Sequence, residues 1–290
     1  MSKIILITGP TACGKTLVSI NLAKKLNAVI INADSRYIFK EPIIATAKVT
    51  SEEMSGIKHY MVDTISLNDD FSIYDYQKEG RKLLNKLINE NKNIIVVGGS
   101  GLYIKALLYD YQLNENEKIF YDYSMYSNSE LKEMADEINI NNDIHVNNRQ
   151  RLERYITYYK ENGSPLNRSD NINNKVYDFI SFYLDTDRDV LYDRINKRVD
   201  IMINNGLIDE AINLKDYKHF KDIIGYKELI DYFNNDISLE DAIDNIKKDS
   251  RHYAKRQITW FKNQMKDLIK IKVNYENIDE TINEILNYIE

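Results

Sequence analysis

Cysteine is nearly absent from this sequence: Cys13 is the only one in 290 residues. A lone thiol forms no internal disulfide, and with four histidines it makes no structural zinc set, so neither kind of staple holds the chain together. That usage fits a reducing compartment. No charge-free apolar run approaches the roughly 20 residues that span a bilayer, and the N-terminus enters an apolar strand pattern directly instead of a leader peptide. The expectation is a soluble, cytoplasmic protein with no membrane partner. A positive excess is also missing. The formal net charge of −6 argues against a uniformly basic nucleic-acid binder, which leaves local basic patches to be sought along the chain. What is present, 43% hydrophobic residues over this length, suffices for a buried core in one large or two modest domains. The 22 tyrosines accompany abundant Asn, Ile and Lys throughout, so they carry little weight as evidence of base stacking.

Against this background Gly9-Pro10-Thr11-Ala12-Cys13-Gly14-Lys15-Thr16 stands out, because it fits the phosphate-cradling pattern G-x-x-x-x-G-K-[ST]. An apolar strand pattern over 4–7 precedes it and a helical apolar spacing over 17–26 follows. In that setting loop N–H groups and the helix N-terminus point at phosphate oxygens, Lys15 adds a fixed charge, and Thr16 can hold Mg2+. Cys13 reads as a small side chain in a serine-like position and supports no redox role.

A second strand over 28–31 ends in Asn32-Ala33-Asp34-Ser35-Arg36-Tyr37. A helix over 73–88 and a third strand over 93–97 lead into Gly98-Gly99-Ser100-Gly101. This order gives an α/β fold, a P-loop-type doubly wound parallel sheet, and places Asp34 beside the phosphate loop at the ligand-binding edge. On position alone, capping a turn is an equal role for Asp34. From Tyr111 the pattern becomes polar and tyrosine-rich, with helices over 129–138 and 149–159. This reads as a small, mainly helical insertion domain over 111–175, between core segments 1–110 and 176–290. A strand over 176–184 and a helix over 190–203 follow. On that helix Arg194 and Arg198 share a face, an arrangement that suits an oxyanion clamp or a solvated ion-pair surface. Gly225-Tyr226-Lys227-Glu228 opens a short helix. The longest helix runs from a cap at Ser238 to about Met265. Its apolar stripe is Ile243, Ile246, Ala254, Ile258, Phe261 and Met265, and its basic face is Lys248, Arg251, His252, Lys255, Lys262 and Lys266. That face is either simply solvated or a local site for nucleic-acid phosphates. A strand over 269–273 and a helix over 278–289 close the chain.

Several separated stretches together resemble the tRNA dimethylallyltransferase (tRNA isopentenyltransferase) family: GPTACGKT at 9–16, NADSRYIF at 32–39, ATAK at 45–48 and GGSGLYIKALL at 98–108. Further on come NNRQRLER at 147–154, DRDVLYDRINKRVDIMINNGLIDEA at 187–211, IIGYKEL at 223–229 and SRHYAKRQITWF at 250–261. They total 83 of the 290 residues and are spread from 9 to 261 in the family's order. The resemblance implies transfer of a dimethylallyl group from dimethylallyl diphosphate to the exocyclic amine of the adenine 3′-adjacent to the anticodon. The protein would act as a monomer on the anticodon stem-loop of tRNA, with Mg2+.

Carried over by position, the resemblance makes Asp34 the general base and Arg198 the arginine that grips the diphosphate. Thr16 would help hold the metal, and Ser100 stands near the reacting centre where the family usually has Thr. Gly9, Thr11, Ala12, Cys13, Gly14, Lys15 and Thr16 would bind diphosphate with Arg198. Asp34, Ser35, Arg36, Tyr37, Ser100, Gln150, Arg151, Arg154, Tyr226, Lys227, Arg251, Lys255, Arg256 and Gln257 would face tRNA. Three departures are visible. Segment 40–48, KEPIIATAK, lacks both glycines and the Asp of the family's K-G-x-D-I-G-T-A-K run; the 111–143 segment is shorter than the usual insertion; and no C-terminal zinc finger is present. Two other readings stay open on the sequence: an ATP-dependent small-molecule kinase of the same loop class, and a catalytically silent RNA-binding relative.

Overall fold

The structure is a computed structural model, described here for residues 2–111, 113, 121–165 and 173–289. The first strand, β1 (Ile4–Thr8), runs through the phosphate loop into α1 (Lys15–Leu26) and returns as β2 (Ala28–Asn32). A capped single turn, α2 (Ser51–Met54), and the two-residue β3 (His59–Tyr60) precede α3 (Ile73–Asn89), β4 (Asn93–Gly98) and α4 (Gly101–Leu108). Helices α5 (Asn128–Ile138) and α6 (Arg149–Asn162) follow, then β5 (Ile180–Asp185), α7 (Arg188–Asn204), α8 (Leu207–Leu214) and α9 (Ile230–Phe233). The last elements are α10 (Leu239–Gln264), β6 (Ile269–Lys272) and α11 (Ile278–Asn287).

The six strands form one sheet in the order β3-β2-β4-β1-β5-β6, with every pairing parallel. Side chains alternate across it as the period of two requires. Ile4, Leu6, Ile31, Ile94, Val96 and Tyr183 enter one core beneath α3 and α4, while Ile5, Ile7, Ile30, Ile95, Phe182 and Leu184 enter the other beneath α1 and α11. Helices thus cover both faces, which is why the strands read as continuous apolar runs. Helix α10 serves both layers, burying Ala242, Ile246 and Phe261 in the first and Ala254 in the second.

The chain divides into two compact units, residues 1–110 with 175–290, and residues 111–174. The second has its own small core of Tyr123, Leu131, Ala135, Ile144, Leu152, Tyr155 and Ile156, between α5 and α6. Arg149 ties it together by donating to the carbonyls of Tyr123 at 2.6 Å and Tyr126 at 2.8 Å.

Several expectations are corrected. The strand expected over 176–184 begins at Ile180; Val176 is exposed, and its N–H donates to the Leu108 carbonyl at 2.9 Å, which turns this stretch back toward α4. The short helix expected at Gly225 is a 3₁₀ turn, Lys227–Leu229, leading into α9. Ile258, expected in the buried stripe of α10, is 37% exposed, and Gln257 beside it is 6% exposed instead. The irregular segment expected after Tyr111 lies partly outside the described residues.

Candidate functional site

Because all strands are parallel, the loops that follow β1, β2 and β4 emerge at the same sheet edge, where open α/β sheets bind ligands. The first is the phosphate loop. Gly14 caps α1 with φ +95°, a conformation natural to glycine, and leaves the first N–H groups of the helix without a side-chain cap. Lys15 folds over the loop and donates to the carbonyls of Gly9 at 3.0 Å and Pro10 at 2.7 Å. Two arginines of α7 reach the same loop. Arg198 donates through Nη1 to Thr11 Oγ1 at 3.2 Å and through Nη2 to the Thr46 carbonyl at 2.9 Å. Arg194 donates through Nε to the Ala12 carbonyl at 2.9 Å, its guanidinium lying 3.9 Å above the ring of Tyr275. The four-residue spacing therefore brings both guanidiniums to the loop at neighbouring residues: Arg194 braces its backbone at Ala12, and Arg198 sits beside the Thr11 hydroxyl. Cys13 is fully buried, and burial pushes its thiol up, consistent with packing and not reactivity.

The second loop carries Asp34. Its Oδ1 accepts from the Arg36 N–H at 3.0 Å, while Asn32 holds the Asp34 backbone through its own N–H and carbonyl at 3.0 and 2.9 Å. The capping role is thus real but engages one oxygen. Burial, with the Asp34 charge adding to it, pushes the Tyr253 hydroxyl above the usual tyrosine range. Tyr103 is raised for the same first reason, with Arg36 opposing and Asp34 reinforcing. The Asp34 charge is thus felt by Tyr103 and Tyr253, whose hydroxyls stay protonated. Tyr37 donates to the Ala47 carbonyl at 2.7 Å, and its phenol, raised by burial against the pull of Arg198, also meets Thr16.

The third loop carries Ser100, whose Oγ accepts from the Ser35 N–H at 3.0 Å and so joins the β4 loop to the β2 loop. Helix α10 lies directly on this junction. A Cβ on Gly99 would fall 2.3 Å from Gln257 Nε2, and one on Gly101 would fall 2.1 Å from the Trp260 ring, so the glycines of GGSG admit the helix. Gln257 donates to the Gly99 carbonyl at 2.9 Å and accepts from the Thr11 N–H at 2.7 Å, bridging the phosphate loop and the Ser100 loop.

Thr11, Thr16, Asp34, Ser35, Arg36, Tyr37, Ser100 and Arg198 therefore share one edge of the sheet. Two residues expected to meet tRNA do not reach the surface: Tyr226 is fully buried with its hydroxyl on Glu210 at 2.6 Å, and both amide atoms of Gln257 are taken by backbone. Their work is internal support. Lys227 is ion-paired with Asp249 at 2.8 Å, and Arg251 donates to Asn196 at 2.6 Å. Lys255 and Arg256 are exposed on α10, as are Gln150 and Arg154 on α6, where Arg151 is half-buried. Sequence reasoning missed Glu210, Tyr253 and Tyr275. The first lay unremarked in GLIDEA and the second in SRHYAKRQ, both within quoted motifs. Tyr275 had no signal at all.

A phosphate loop braced by paired arginines, joined through one glutamine to the Ser100 loop and through Ser100 to the Asp34 loop, defines a phosphate-loop α/β transferase. Residues 37–264 match the family model described as IPP transferase. The chain is 44% identical over 275 residues to a tRNA dimethylallyltransferase of Fusobacterium nucleatum, covering 90% of this chain and 89% of that one. It is 40% identical over 279 residues to the enzyme of the same name from Enterococcus faecalis, covering 91% and 90%. Among solved structures it is similar to the tRNA delta(2)-isopentenylpyrophosphate transferase of Staphylococcus epidermidis, at 37% identity and a TM-score of 0.75, over all of this chain and 99% of that one. The chain belongs to the tRNA dimethylallyltransferase family.

Proposed function

We propose that the protein transfers the dimethylallyl group of dimethylallyl diphosphate to the exocyclic amine of the adenine 3′-adjacent to the anticodon in tRNA, releasing diphosphate. The observation that carries this reading is the Gln257 bridge between Thr11 and Gly99. It sets the phosphate-binding loop against the Ser100 loop, which the Ser35–Ser100 bond in turn joins to the Asp34 loop, as a donor and an acceptor site sharing one wall would require.

The reaction breaks the bond between the allylic carbon and the diphosphate oxygen, forms one from that carbon to the adenine amine, and releases the amine proton. Loop N–H groups, Lys15 and Arg198 stabilise the charge that develops on the departing oxygen. Lys15 lies over the loop on the Gly9 and Pro10 carbonyls, which keeps its charge beside the loop that takes the phosphates. The adenine amine is a weak nucleophile because its lone pair is delocalised into the ring; Asp34 accepts its hydrogen bond and then its proton. One Asp34 oxygen is held by the Arg36 N–H, which leaves the other to work. Ser100 orients the amine from the opposite loop.

Among the described residues no group of three His, Cys, Asp or Glu side chains could hold a metal ion. Mg2+ characteristically keeps waters and takes few protein ligands alongside phosphates, and Thr16 is the residue that would hold it here. When bound it neutralises diphosphate charge.

The acceptor base must leave its stack, at about a few kcal/mol, less in a single-stranded loop. Arg36 and Ser35 at the site, the exposed Lys255 and Arg256 of α10, and Gln150, Arg151 and Arg154 of α6 are the groups we assign to the flanking RNA. No helix among the described residues is long and apolar enough to cross a membrane. We infer action as a monomer in the cytoplasm. Incubation with unmodified tRNA and labelled dimethylallyl diphosphate should place label in RNA. ATP hydrolysis or phosphorylation without prenylation would instead support the kinase reading, and RNA binding without turnover the silent relative.

A further inference from the structure

The segment that lacks the family's glycines, 40–48, is held in an unexpected way. The N–H groups of Ile43, Ile44 and Ala45 all converge on the carboxylate of Glu210, at 3.0, 2.8 and 3.0 Å. Three successive N–H groups around one carboxylate form a charge-assisted nest, the arrangement in which backbone donors hold an anion most firmly. Tyr226, buried beneath, donates to the same carboxylate at 2.6 Å and fixes its direction. The other side of the turn presents carbonyls. That of Thr46 accepts from Arg198 at 2.9 Å, and that of Ala47 accepts from Tyr37 at 2.7 Å. Arg198 then meets Thr11, and Tyr37 meets Thr16, so both donors have the phosphate loop on their far side.

We propose that Glu210 is a positioning residue for diphosphate binding: its carboxylate locks the turn that aims Arg198, without touching substrate. The proposal rests on the reading of Arg198 as a diphosphate ligand. It explains how a turn without glycine keeps its place. Its backbone donors are organised by an anion from α8, and only Ala47 among its residues adopts a positive φ, +47°.

The test is a double-mutant cycle read by calorimetric binding of inorganic diphosphate with Mg2+, by KM and kcat for prenyl transfer, and by thermal melting. Glu210→Gln keeps the shape and removes the charge. It should weaken diphosphate binding and raise KM about tenfold, a modest share of what a displaced binding group costs, with melting close to wild type. In an Arg198→Ala background the same substitution should add nothing, because the group it aims is gone. Wild-type binding by Glu210→Gln, or an equal loss in both backgrounds, overturns the proposal. Should Glu210→Gln fold poorly, Tyr226→Phe, which loosens the carboxylate from below, must show the same dependence on Arg198, and its failure to do so overturns the proposal equally. Wild-type protein that binds diphosphate but transfers no prenyl group refutes the proposed function alone; absent coupling in an active wild type refutes the role of Glu210 alone.

Discussion

Replacing Gly98 by alanine tests how the two substrate loops are held. Gly98 ends β4, paired with Thr8 of β1, and the neighbouring backbone is locked on its other side by the Ala33 N–H donating to the Val97 carbonyl at 2.7 Å. A Cβ here would lie 2.2 Å from both the carbonyl carbon and oxygen of Ala33. Ordinary contact begins at 3.4 Å, so the backbone of the residue before Asp34 must retreat by about 1.2 Å, and no flexible side chain can absorb it. Overpacking of this kind costs about 1–3 kcal/mol. The larger effect falls on chemistry, since a misplacement of about 1 Å at a reacting group lowers turnover roughly a hundredfold. Gly56→Ala is the control: nothing lies within 4 Å of its Cβ, and its only penalty is φ +76°, about 1 kcal/mol in stability. Melting and single-turnover prenyl transfer should therefore separate the two variants, with Gly56→Ala losing some stability and no turnover. If Gly98→Ala transfers prenyl groups at the rate of Gly56→Ala, the steric coupling of β4 to the Asp34 loop is wrong.

Other outcomes follow from the same geometry. Asp34→Asn preserves the acceptor for the Arg36 N–H but not the base, and should lower prenyl transfer by about 10²–10⁴-fold while tRNA affinity in a filter-binding assay holds; near-normal turnover removes Asp34 from the chemistry. Lys255→Ala, on an exposed face, should weaken tRNA binding and reduce the dependence of log K on log salt by about 0.7–0.9, and an unchanged slope places the RNA surface elsewhere. Glu41 accepts from Ser66 Oγ and the Leu67 N–H, each at 2.8 Å; burial works to raise its carboxyl, but these bonds prevail and hold it below its ordinary 4.5. Because the folded value is the lower one, this stabilisation is complete above 4.5 and is lost as pH falls through the folded value. Glu41→Gln should accordingly be less stable than wild type at neutral pH and converge with it in acid, as followed by denaturant melts across pH; a gap independent of pH contradicts the assignment.

The fold was legible because the physics of a parallel sheet is local. Strands buried on both faces read as apolar runs, so β1, β2 and β4 stood out at once. The two-residue β3 is too short to carry a period, and the start of β5 was misplaced because Val176 and Tyr177 look like strand residues while serving a turn back to Leu108. In the site, charge-bearing residues were legible through the phosphate loop and the resemblance, but their supports were not. Gln257 and Thr11 are 246 residues apart, and Arg198 and Thr46 are 152. Contacts of this range join a side chain to a backbone atom, and a backbone atom leaves no trace in residue type. Buried Gln257 beside exposed Ile258 makes the point: apolar spacing favoured Ile258, whereas the bridge between loops required the polar residue to face inward.

The junction where the second unit enters the chain has a consequence for engineering. Tyr109 and Lys175 form an antiparallel bridge, and Val176 donates to Leu108 beside it, so the chain leaves the first unit and rejoins it across a gap of about 5 Å. The first unit is stitched shut at its own doorway. Residues 111–174 lie in the sequence between these two paired positions. Joining Tyr109 to Lys175 by a tight turn should therefore leave the sheet and the loops at its edge in register.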